Sequence, residues 1–209
     1  MRLDRRSFTG LMAGLAGALA LPRRPDAGPC DLPSPIAGLT PMTADVPPIS
    51  DAERAARREQ ARRLMREHGL DAILLEPGSS MTYFTGVSWW PSERAFLALL
   101  PAAGEPIWVC PAFEEARARE LTGAGAEVRA WQEDDDPFAL VAGVLRERGA
   151  VSGRVGVEER VRWFVSDGIR QAAPAAALTS ATPVTAGCRM YKSPAELALI
   201  KSDNALTVA

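Results

Sequence analysis

Histidine is almost absent from this sequence of 209 residues. The single histidine, His68, falls in the last turn of a predicted helix, where the negative end of the helix macrodipole favours a positive charge. A serine triad would have to use His68 as its base, and a histidine-rich zinc site would need further histidines. Neither a Cys-x-x-Cys pair nor a Gly-x-Ser-x-Gly motif is present, so these classes of catalytic or metal site are not expected.

Cysteines and long apolar runs are also scarce. Three cysteines are an odd number, which argues against a complete set of intramolecular disulfide bonds. Cys110 lies in an apolar run and is expected to be a buried thiol. No run reaches the roughly 18 apolar residues that cross a bilayer, so no stable membrane span is expected.

The first 27 residues have the composition of an export signal. Arg5 and Arg6 precede an apolar stretch at residues 10–21, and small residues follow it. Paired arginines before a short apolar stretch are typical of a twin-arginine signal peptide. We therefore expect residues 1–27 to direct export to the periplasm or to the outside of the cell.

The charge of the chain is close to balanced, with 24 basic and 26 acidic residues. Residues 1–27 carry five arginines and two aspartates, which leaves 19 basic against 24 acidic residues in the remainder. An acidic domain of this kind is not expected to bind nucleic acid.

Changes in composition indicate the domain organisation. Residues 28–49 are rich in proline, glycine and alanine and are predicted to form a linker. The folded domain is predicted over residues 50–188, and Ser50 and Glu53 form a capping box that opens its first helix. This helix is predicted to run to His68, because Gly69 is placed to end it.

Short apolar runs alternate with helical patterns across this domain, which indicates an α/β fold. We expect three layers, with a mixed sheet that has helices on both faces. Only residues 101–106 separate the second and third strands, so these two are predicted to form a hairpin. The predicted strands cover residues 71–75, 95–100, 107–110, 127–131 and 154–157, and the later helices cover 113–121, 137–148 and 164–172.

Two acidic segments offer oxygen ligands for a metal ion, and the pattern favours a metal site at neither. In the run at residues 133–136, Asp136 precedes Pro137 at the start of a helical pattern, so these carboxylates are expected to cap that helix. Glu158 and Glu159 follow a predicted strand without neighbouring ligands in the sequence and are expected in a solvated turn. No metal ligand is assigned to this chain.

Another helix begins near the end of the sequence. Ser193 and Glu196 supply a capping box, and Pro194 suits the first helical position. An apolar stripe on such a helix normally packs against a partner element, and none follows here. We therefore expect residues 189–209 to be a linker helix that leads into a missing domain. The residues of the stripe are Leu197, Ile200 and Leu206.

Five ordered segments carry a family resemblance. The most specific are Tyr83-Phe84-Thr85-Gly86, at the end of Met81 to Gly86, and Lys192-Ser193-Pro194-Ala195-Glu196, at the end of Arg189 to Glu196. The others are Asp71-Ala72-Ile73-Leu74-Leu75, Ser92-Glu93-Arg94 and Val155-Gly156-Val157-Glu158. Over roughly residues 50–209, the chain resembles the amino-terminal domain of the creatinase, prolidase and aminopeptidase P family.

The resemblance implies a two-domain parent, with a ribonuclease-H-like mixed sheet in the first domain and a pita-bread catalytic domain after it. In that family the catalytic domain holds two divalent metal ions, expected here to be manganese, through two aspartates, one histidine and two glutamates. A bridging hydroxide attacks the peptide bond that precedes proline. No segment of this chain matches those ligand motifs, so we expect no cofactor in this chain and no activity from it alone.

The resemblance also implies a role for the loop at residues 87–94. In homologues the domain helps to form dimers, and this loop can reach the active site of a neighbouring subunit. Arg94 would bind a carboxylate of a proline-containing peptide, and Trp89 and Trp90 would form an apolar wall beside the proline ring. Alternatively, Arg94 is solvated or paired within the domain, and the tryptophans pack in the core or at a subunit interface.

The expected function is that of the amino-terminal portion of an exported Xaa-Pro metallopeptidase, of the aminopeptidase P or prolidase type, that forms a homo-oligomer. Two alternatives stay open. One is a standalone binding or dimerisation module without catalysis, and the other is a fragment of a creatinase-like carbon–nitrogen hydrolase. The amino-terminal domain does not decide among them, because a fold does not fix a function.

Overall fold

The computed structural model of the protein describes residues 46–208, together with residues 36, 38, 42 and 43. The predicted signal at residues 1–27 and most of the predicted linker at residues 28–49 lie outside the described residues. The helices are α1 (Asp51–His68), α2 (Ser79–Thr85), α3 (Glu115–Thr122), α4 (Pro137–Glu147), α5 (Trp163–Ala172), α6 (Thr182–Met190) and α7 (Pro194–Val208). The strands are β1 (Ala72–Leu75), β2 (Leu97–Pro101), β3 (Ile107–Pro111), β4 (Glu127–Trp131), β5 (Arg154–Val157) and β6 (Ala177–Ser180).

These strands form one mixed sheet in the order β4-β3-β2-β1-β5-β6. β2 pairs antiparallel with β1 and with β3, whereas the other three pairings are parallel. β2 therefore runs against the other five strands. The predicted hairpin is confirmed, and its register aligns Leu97 with Val109 and Leu99 with Ile107.

The alternation of side chains along the strands divides the core into two layers. On one face of the sheet, Ile73 and Leu75 of β1 pack with buried residues of α1, α2, α3 and α6. On the other face, Leu74 packs with buried residues of α4 and α5. Both faces of β1 are buried, as is typical of a central strand. The predicted three-layer α/β fold with a mixed sheet is confirmed.

Helix α1 begins and ends as the sequence predicts. The Ser50 hydroxyl accepts a hydrogen bond from the Glu53 amide at 3.1 Å. Gly69 ends the helix in the left-handed conformation, with a φ of 63° that favours glycine.

Arg57 of α1 is buried and contacts two other helices. It donates to the carbonyl oxygen of Tyr83 in α2 at 3.1 Å, and its guanidinium carbon lies 4.1 Å from the centre of the Tyr83 ring. Its Nη2 atom also lies 3.5 Å from the carboxylates of Glu53 and of Glu196 in α7. The guanidinium group thus joins α1 to α2 and to the first turn of α7.

The sequence does not predict α2, α6 or β6, because none of the three has a strong local signal. α2 has only seven residues, and neither α2 nor α6 has a side-chain cap at its start. β6 is an edge strand of four residues, none of them fully buried. These elements depend on contacts with the rest of the fold rather than on local propensity.

The prediction of a solvated turn at Glu158 and Glu159 is wrong for Glu158, whereas Glu159 lies in a turn and is exposed. Glu158 is only 4% exposed, and its carboxylate accepts hydrogen bonds from the Ser80 hydroxyl and the Arg160 amide, both at 2.9 Å. Glu159 accepts from the hydroxyl of Thr185 in α6 at 2.7 Å. The end of β5 lies between α2 and α6, so these carboxylates join elements that are distant in sequence.

The capping box predicted for the last helix is confirmed. The Glu196 carboxylate accepts from the Ser193 amide at 2.9 Å, and the Ser193 hydroxyl accepts from the Glu196 amide at 3.2 Å. No residue of α7 is buried, and the predicted stripe is exposed to solvent. The first turn of α7 is therefore fixed by its capping box, while its apolar side chains remain exposed to solvent.

Tyr83 and Tyr191, the two tyrosines of the chain, offer a matched test of the packing. The Tyr83 hydroxyl donates to the carbonyl oxygen of Cys188 at 2.8 Å and ties α2 to α6. We expect Tyr83→Phe to lower the free energy of unfolding by about 1 kcal/mol, because it removes one hydrogen bond. Tyr191 is 81% exposed, so Tyr191→Phe should leave that free energy unchanged. Urea unfolding measures both variants, and equal effects would contradict this assignment.

Candidate functional site

The loop at residues 87–94 connects α2 to β2 and is anchored at its start. The Thr82 hydroxyl donates to the carbonyl oxygen of Val87, and the Val87 amide donates to the Thr85 hydroxyl, each at 3.1 Å. The Val87 side chain is buried. Gly86 ends α2 with a φ of 78° and so allows the chain to turn into this anchor.

The two tryptophans of the loop have different environments. The Trp89 ring is stacked on Phe96, with 3.9 Å between ring centroids and 4° between planes, and the Arg117 guanidinium lies 5.3 Å from its centre. Trp90 is 86% exposed. Trp89 therefore fixes the loop to the core, and Trp90 is the side chain that is available to a ligand.

Arg94, at the end of the loop, is paired with two carboxylates. Its Nε and Nη2 atoms donate to the two oxygens of Glu133 at 2.9 and 3.1 Å, and Nη1 donates to Glu93. The hydrogen bond with Glu133 raises the pKa of Arg94, and the same bond lowers the pKa of Glu133. The guanidinium carbon also lies 5.1 Å from the centre of the exposed Phe113 ring.

This arrangement shows that Arg94 can hold a carboxylate with two parallel hydrogen bonds. A planar guanidinium suits that geometry better than an ammonium group does. Because the Arg94 and Glu133 side chains are both accessible to solvent, their ion pair contributes little to stability and can exchange partners readily. The assignment of Arg94, Trp89 and Trp90 to substrate binding stays a prediction.

Glu76 and Arg162 form a second ion pair beside the loop, which the sequence reasoning missed. Glu76 is only 5% exposed, and its carboxylate accepts from the backbone amide, Nε and Nη2 of Arg162 at 2.7, 2.8 and 2.6 Å. The Arg162 guanidinium also donates to the carbonyl oxygen of Ser92 and, at 3.5 Å, to that of Arg94. The pair thus contacts the backbone of the loop directly.

The positions of Glu76 and Arg162 relative to the strands are a signal for this ion pair. Glu76 follows β1 directly, and Arg162 lies in the segment between β5 and α5. Since β1 and β5 are parallel neighbours, the residues that follow them emerge at one edge of the sheet. This edge is where open α/β sheets place their ligand sites. A prediction that β1 and β5 pair in parallel would therefore have placed Glu76 and Arg162 at the same edge of the sheet.

The other chemically notable groups have structural roles. Asp136 caps α4, because its carboxylate accepts a hydrogen bond from the Phe138 amide at 2.8 Å. Asp135 does not cap the helix, and its carboxylate accepts from the Gln132 amide in the preceding turn at 2.8 Å. Within residues 46–208, no three histidine, cysteine, aspartate or glutamate side chains are grouped so as to hold a metal ion. None of the helices described is long and apolar enough to cross a membrane.

Cys110 and Cys188 are buried and free, as was predicted for Cys110. Burial is the main cause that raises the pKa of each thiol to about 11. At neutral pH both groups are protonated and enclosed, so neither has the thiolate character of a nucleophile.

The Arg94–Glu133 pair should be visible in a pH titration. We expect the pKa of Glu133 to lie below its ordinary value of 4.5 and to return toward it in Arg94→Gln. Because the pKa is lower in the folded state, the stabilisation is present above pH 4.5 and is lost as the pH falls through the folded-state pKa. Carboxyl-carbon NMR measures the shift, and the exposed Glu120 provides a control resonance. An unchanged Glu133 pKa in Arg94→Gln would contradict the pairing.

Comparison with known proteins identifies the family and the fold of the chain. The model of the Creatinase/Prolidase N-terminal domain matches residues 57–191. An uncharacterised peptidase of Schizosaccharomyces pombe is 31% identical over 194 residues, which cover 86% of this chain and 41% of that protein. The crystal structure of dipeptidase PepE from Mycobacterium ulcerans has a TM-score of 0.64 at 29% identity, over 72% of this chain and 40% of that one.

The N-terminal domain of an Xaa-Pro dipeptidase from Lactobacillus brevis shares the fold, with a TM-score of 0.57 at 19% identity, over 65% of this chain and 99% of that one. The chain thus spans less than half the length of the Schizosaccharomyces and Mycobacterium proteins. The residues matched by the family model include all six strands and the loop at residues 87–94. The chain belongs to the creatinase/prolidase N-terminal domain family.

Proposed function

We propose that this chain is the amino-terminal portion of an exported Xaa-Pro metallopeptidase, and that it serves in dimerisation and substrate access rather than in bond cleavage. In this proposal, the loop at residues 87–94 reaches the active site of a neighbouring subunit and contacts a peptide that contains proline. Support comes from the family to which the chain belongs and from its similarity to a dipeptidase and an Xaa-Pro dipeptidase domain.

The observation that carries the proposal is the pairing of Arg94 with Glu133. The Glu133 carboxylate accepts two hydrogen bonds from the Arg94 guanidinium, at 2.9 and 3.1 Å, as the carboxylate of a peptide would. Exchange for a substrate carboxylate would replace one charge-assisted pair by another. The exposed Trp90 lies four residues before Arg94 and would offer an aromatic face to the proline ring.

Exposed aromatic side chains support assembly into a homo-oligomer. Trp90, Phe113, Trp163 and Tyr191 are all exposed in the described part of the chain. Tyrosine, tryptophan and phenylalanine are enriched at protein interfaces relative to the remaining surface. In the proposed dimer, some of these side chains are covered by the second subunit.

Cleavage in this proposal depends on two divalent metal ions, expected to be manganese, which would supply a nucleophilic hydroxide at neutral pH. The residues described do not fit such a site, because no three histidine, cysteine, aspartate or glutamate side chains among them are grouped so as to hold a metal ion. We place the metal ligands in a separate catalytic domain and assign none of them to this chain.

Enzyme assays of the purified chain test the division of labour. We expect no hydrolysis of Xaa-Pro dipeptides or tripeptides above background with manganese added, because the ligand set lies elsewhere. A complete Xaa-Pro dipeptidase, assayed in parallel, confirms that the conditions support turnover. Metal-dependent cleavage that co-purifies with the chain, and is abolished by a chelator, would overturn the proposal.

A creatinase-like carbon–nitrogen hydrolase is the second candidate, because the matched family model joins creatinase with prolidase. A non-catalytic binding module is the third. The genomic DNA after the codon of Ala209 discriminates between these: an open frame with the Asp, Asp, His, Glu, Glu pattern supports an enzyme, and a stop codon without such a frame supports the module. Substrate assays of the encoded enzyme then separate the peptidase from the creatinase-like activity.

Export is tested with a reporter. We expect residues 1–30, fused to a fluorescent protein that must fold before it is exported, to carry the reporter to the periplasm of a bacterium with the twin-arginine pathway. Replacement of Arg5 and Arg6 by lysine should retain the fusion in the cytoplasm, whereas replacement of Arg23 and Arg24 should not. Cell fractionation measures the distribution, and export of both variants alike would contradict the twin-arginine assignment.

A further inference from the structure

We propose that Glu76 and Arg162 are positioning residues, which fix the backbone of residues 92–94 and thereby determine where Arg94 presents its guanidinium group. In this role, the ion pair holds the end of the loop against the sheet. The inference rests on the proposed function, because that function supplies the ligand that the loop would bind. The geometry of the contact itself does not depend on that function.

Arg162 forms hydrogen bonds both with Glu76 and with the backbone of the loop. The backbone amide, Nε and Nη2 of Arg162 bind the Glu76 carboxylate at 2.6 to 2.8 Å. Nη1 of Arg162 donates to the carbonyl oxygen of Ser92, and Nη2 reaches that of Arg94 at 3.5 Å. A single guanidinium group therefore bridges the end of β1 and the last turn of the loop.

The two side chains of this ion pair are buried to different extents. The Glu76 side chain is almost fully enclosed, while that of Arg162 is partly exposed. A buried carboxylate without its partner is strongly unfavourable, so Glu76 holds Arg162 in one orientation. The guanidinium fork is planar, and fixing it at Glu76 also fixes the direction in which Nη1 points toward Ser92.

Hydrogen bonds hold the backbone on both sides of Arg94. The Arg94 amide donates to the Ser92 hydroxyl at 3.2 Å, and the Trp131 indole donates to the carbonyl oxygen of Ala95 at 3.1 Å. Together with Arg162, these bonds leave only the side chain of Arg94 free to choose its partner. A rigid backbone of this kind is what a precise binding site requires.

A comparison on the same helix separates positioning from general stabilisation. Arg170 of α5 pairs with Asp167 three residues earlier, and both side chains of this pair lie on their own helix. Arg162 starts the same helix as its N-terminal flanking residue and instead contacts the loop. Arg170→Gln is therefore a matched control, which removes an arginine from α5 without touching residues 92–94.

The test uses the pKa of Glu133, measured by carboxyl-carbon NMR in the full chain, as a report on the position of Arg94. The charge that acts on Glu133 is that of Arg94, and the described hydrogen bonds and ion pairs of the Arg162 side chain do not include Glu133. We expect Arg162→Gln and Arg162→Lys both to raise the Glu133 pKa toward the value found in Arg94→Gln. Arg162→Lys keeps the positive charge but lacks the fork, so its effect separates geometry from charge. Arg170→Gln should leave the pKa unchanged.

Thermal unfolding of each variant shows whether the fold is intact, and Arg162→Lys decides the matter if Arg162→Gln does not fold. An unchanged Glu133 pKa in folded Arg162→Lys would overturn the inference. An equal shift in Arg170→Gln would also overturn it, because the effect would then not be specific to the loop. Failure of the proposed function is a separate result, since peptide turnover by the chain alone would leave the Glu133 titration as it is.

Discussion

The parallel pairing of β1 with β5 is the constraint on which the rest of the structure depends. It aligns Leu74 with Val157, so the two strands end at the same edge of the sheet. Glu76 follows β1 and Arg162 follows β5, and they meet there although 86 positions separate them in the sequence. Without this pairing, Glu76 would be a buried carboxylate with no cation, which folded proteins avoid. The central strand thus organises both the core and the anchor of the loop.

Elements with strong local signals were predictable from the sequence. Ser50 and Gly69 bound α1 through a cap and a left-handed glycine, and the apolar run before Glu76 marks the central strand. α2, α6 and β6 lack such signals and are fixed by packing. The burial of Glu158 was also not predictable from the sequence. Its partner Ser80 lies 78 positions earlier, on helix α2, which has no strong local signal.

The candidate site was identified by family resemblance, and its geometry required the structure. Neighbouring tryptophans offer no sequence signal that tells which one faces the core, and the stacking of Trp89 on Phe96 decides it. The partner of Arg94 was equally hidden, because Glu133 follows β4 while Arg94 precedes β2, with β3 between these strands. In the acidic run, Asp136 caps α4 as predicted. Glu133, the first residue of the run, instead pairs with Arg94 of the loop.

Arg57 connects helix α7 to α2, the helix that precedes the loop. Its guanidinium group lies 3.5 Å from Glu196 at the start of α7 and bonds to the backbone of Tyr83, three residues before the loop-initiating Gly86. The same buried guanidinium group therefore contacts both the start of α7 and the helix that leads into the loop. A change in the orientation of α7 would act directly on a side chain that also contacts α2, the helix from which the chain continues to Trp90.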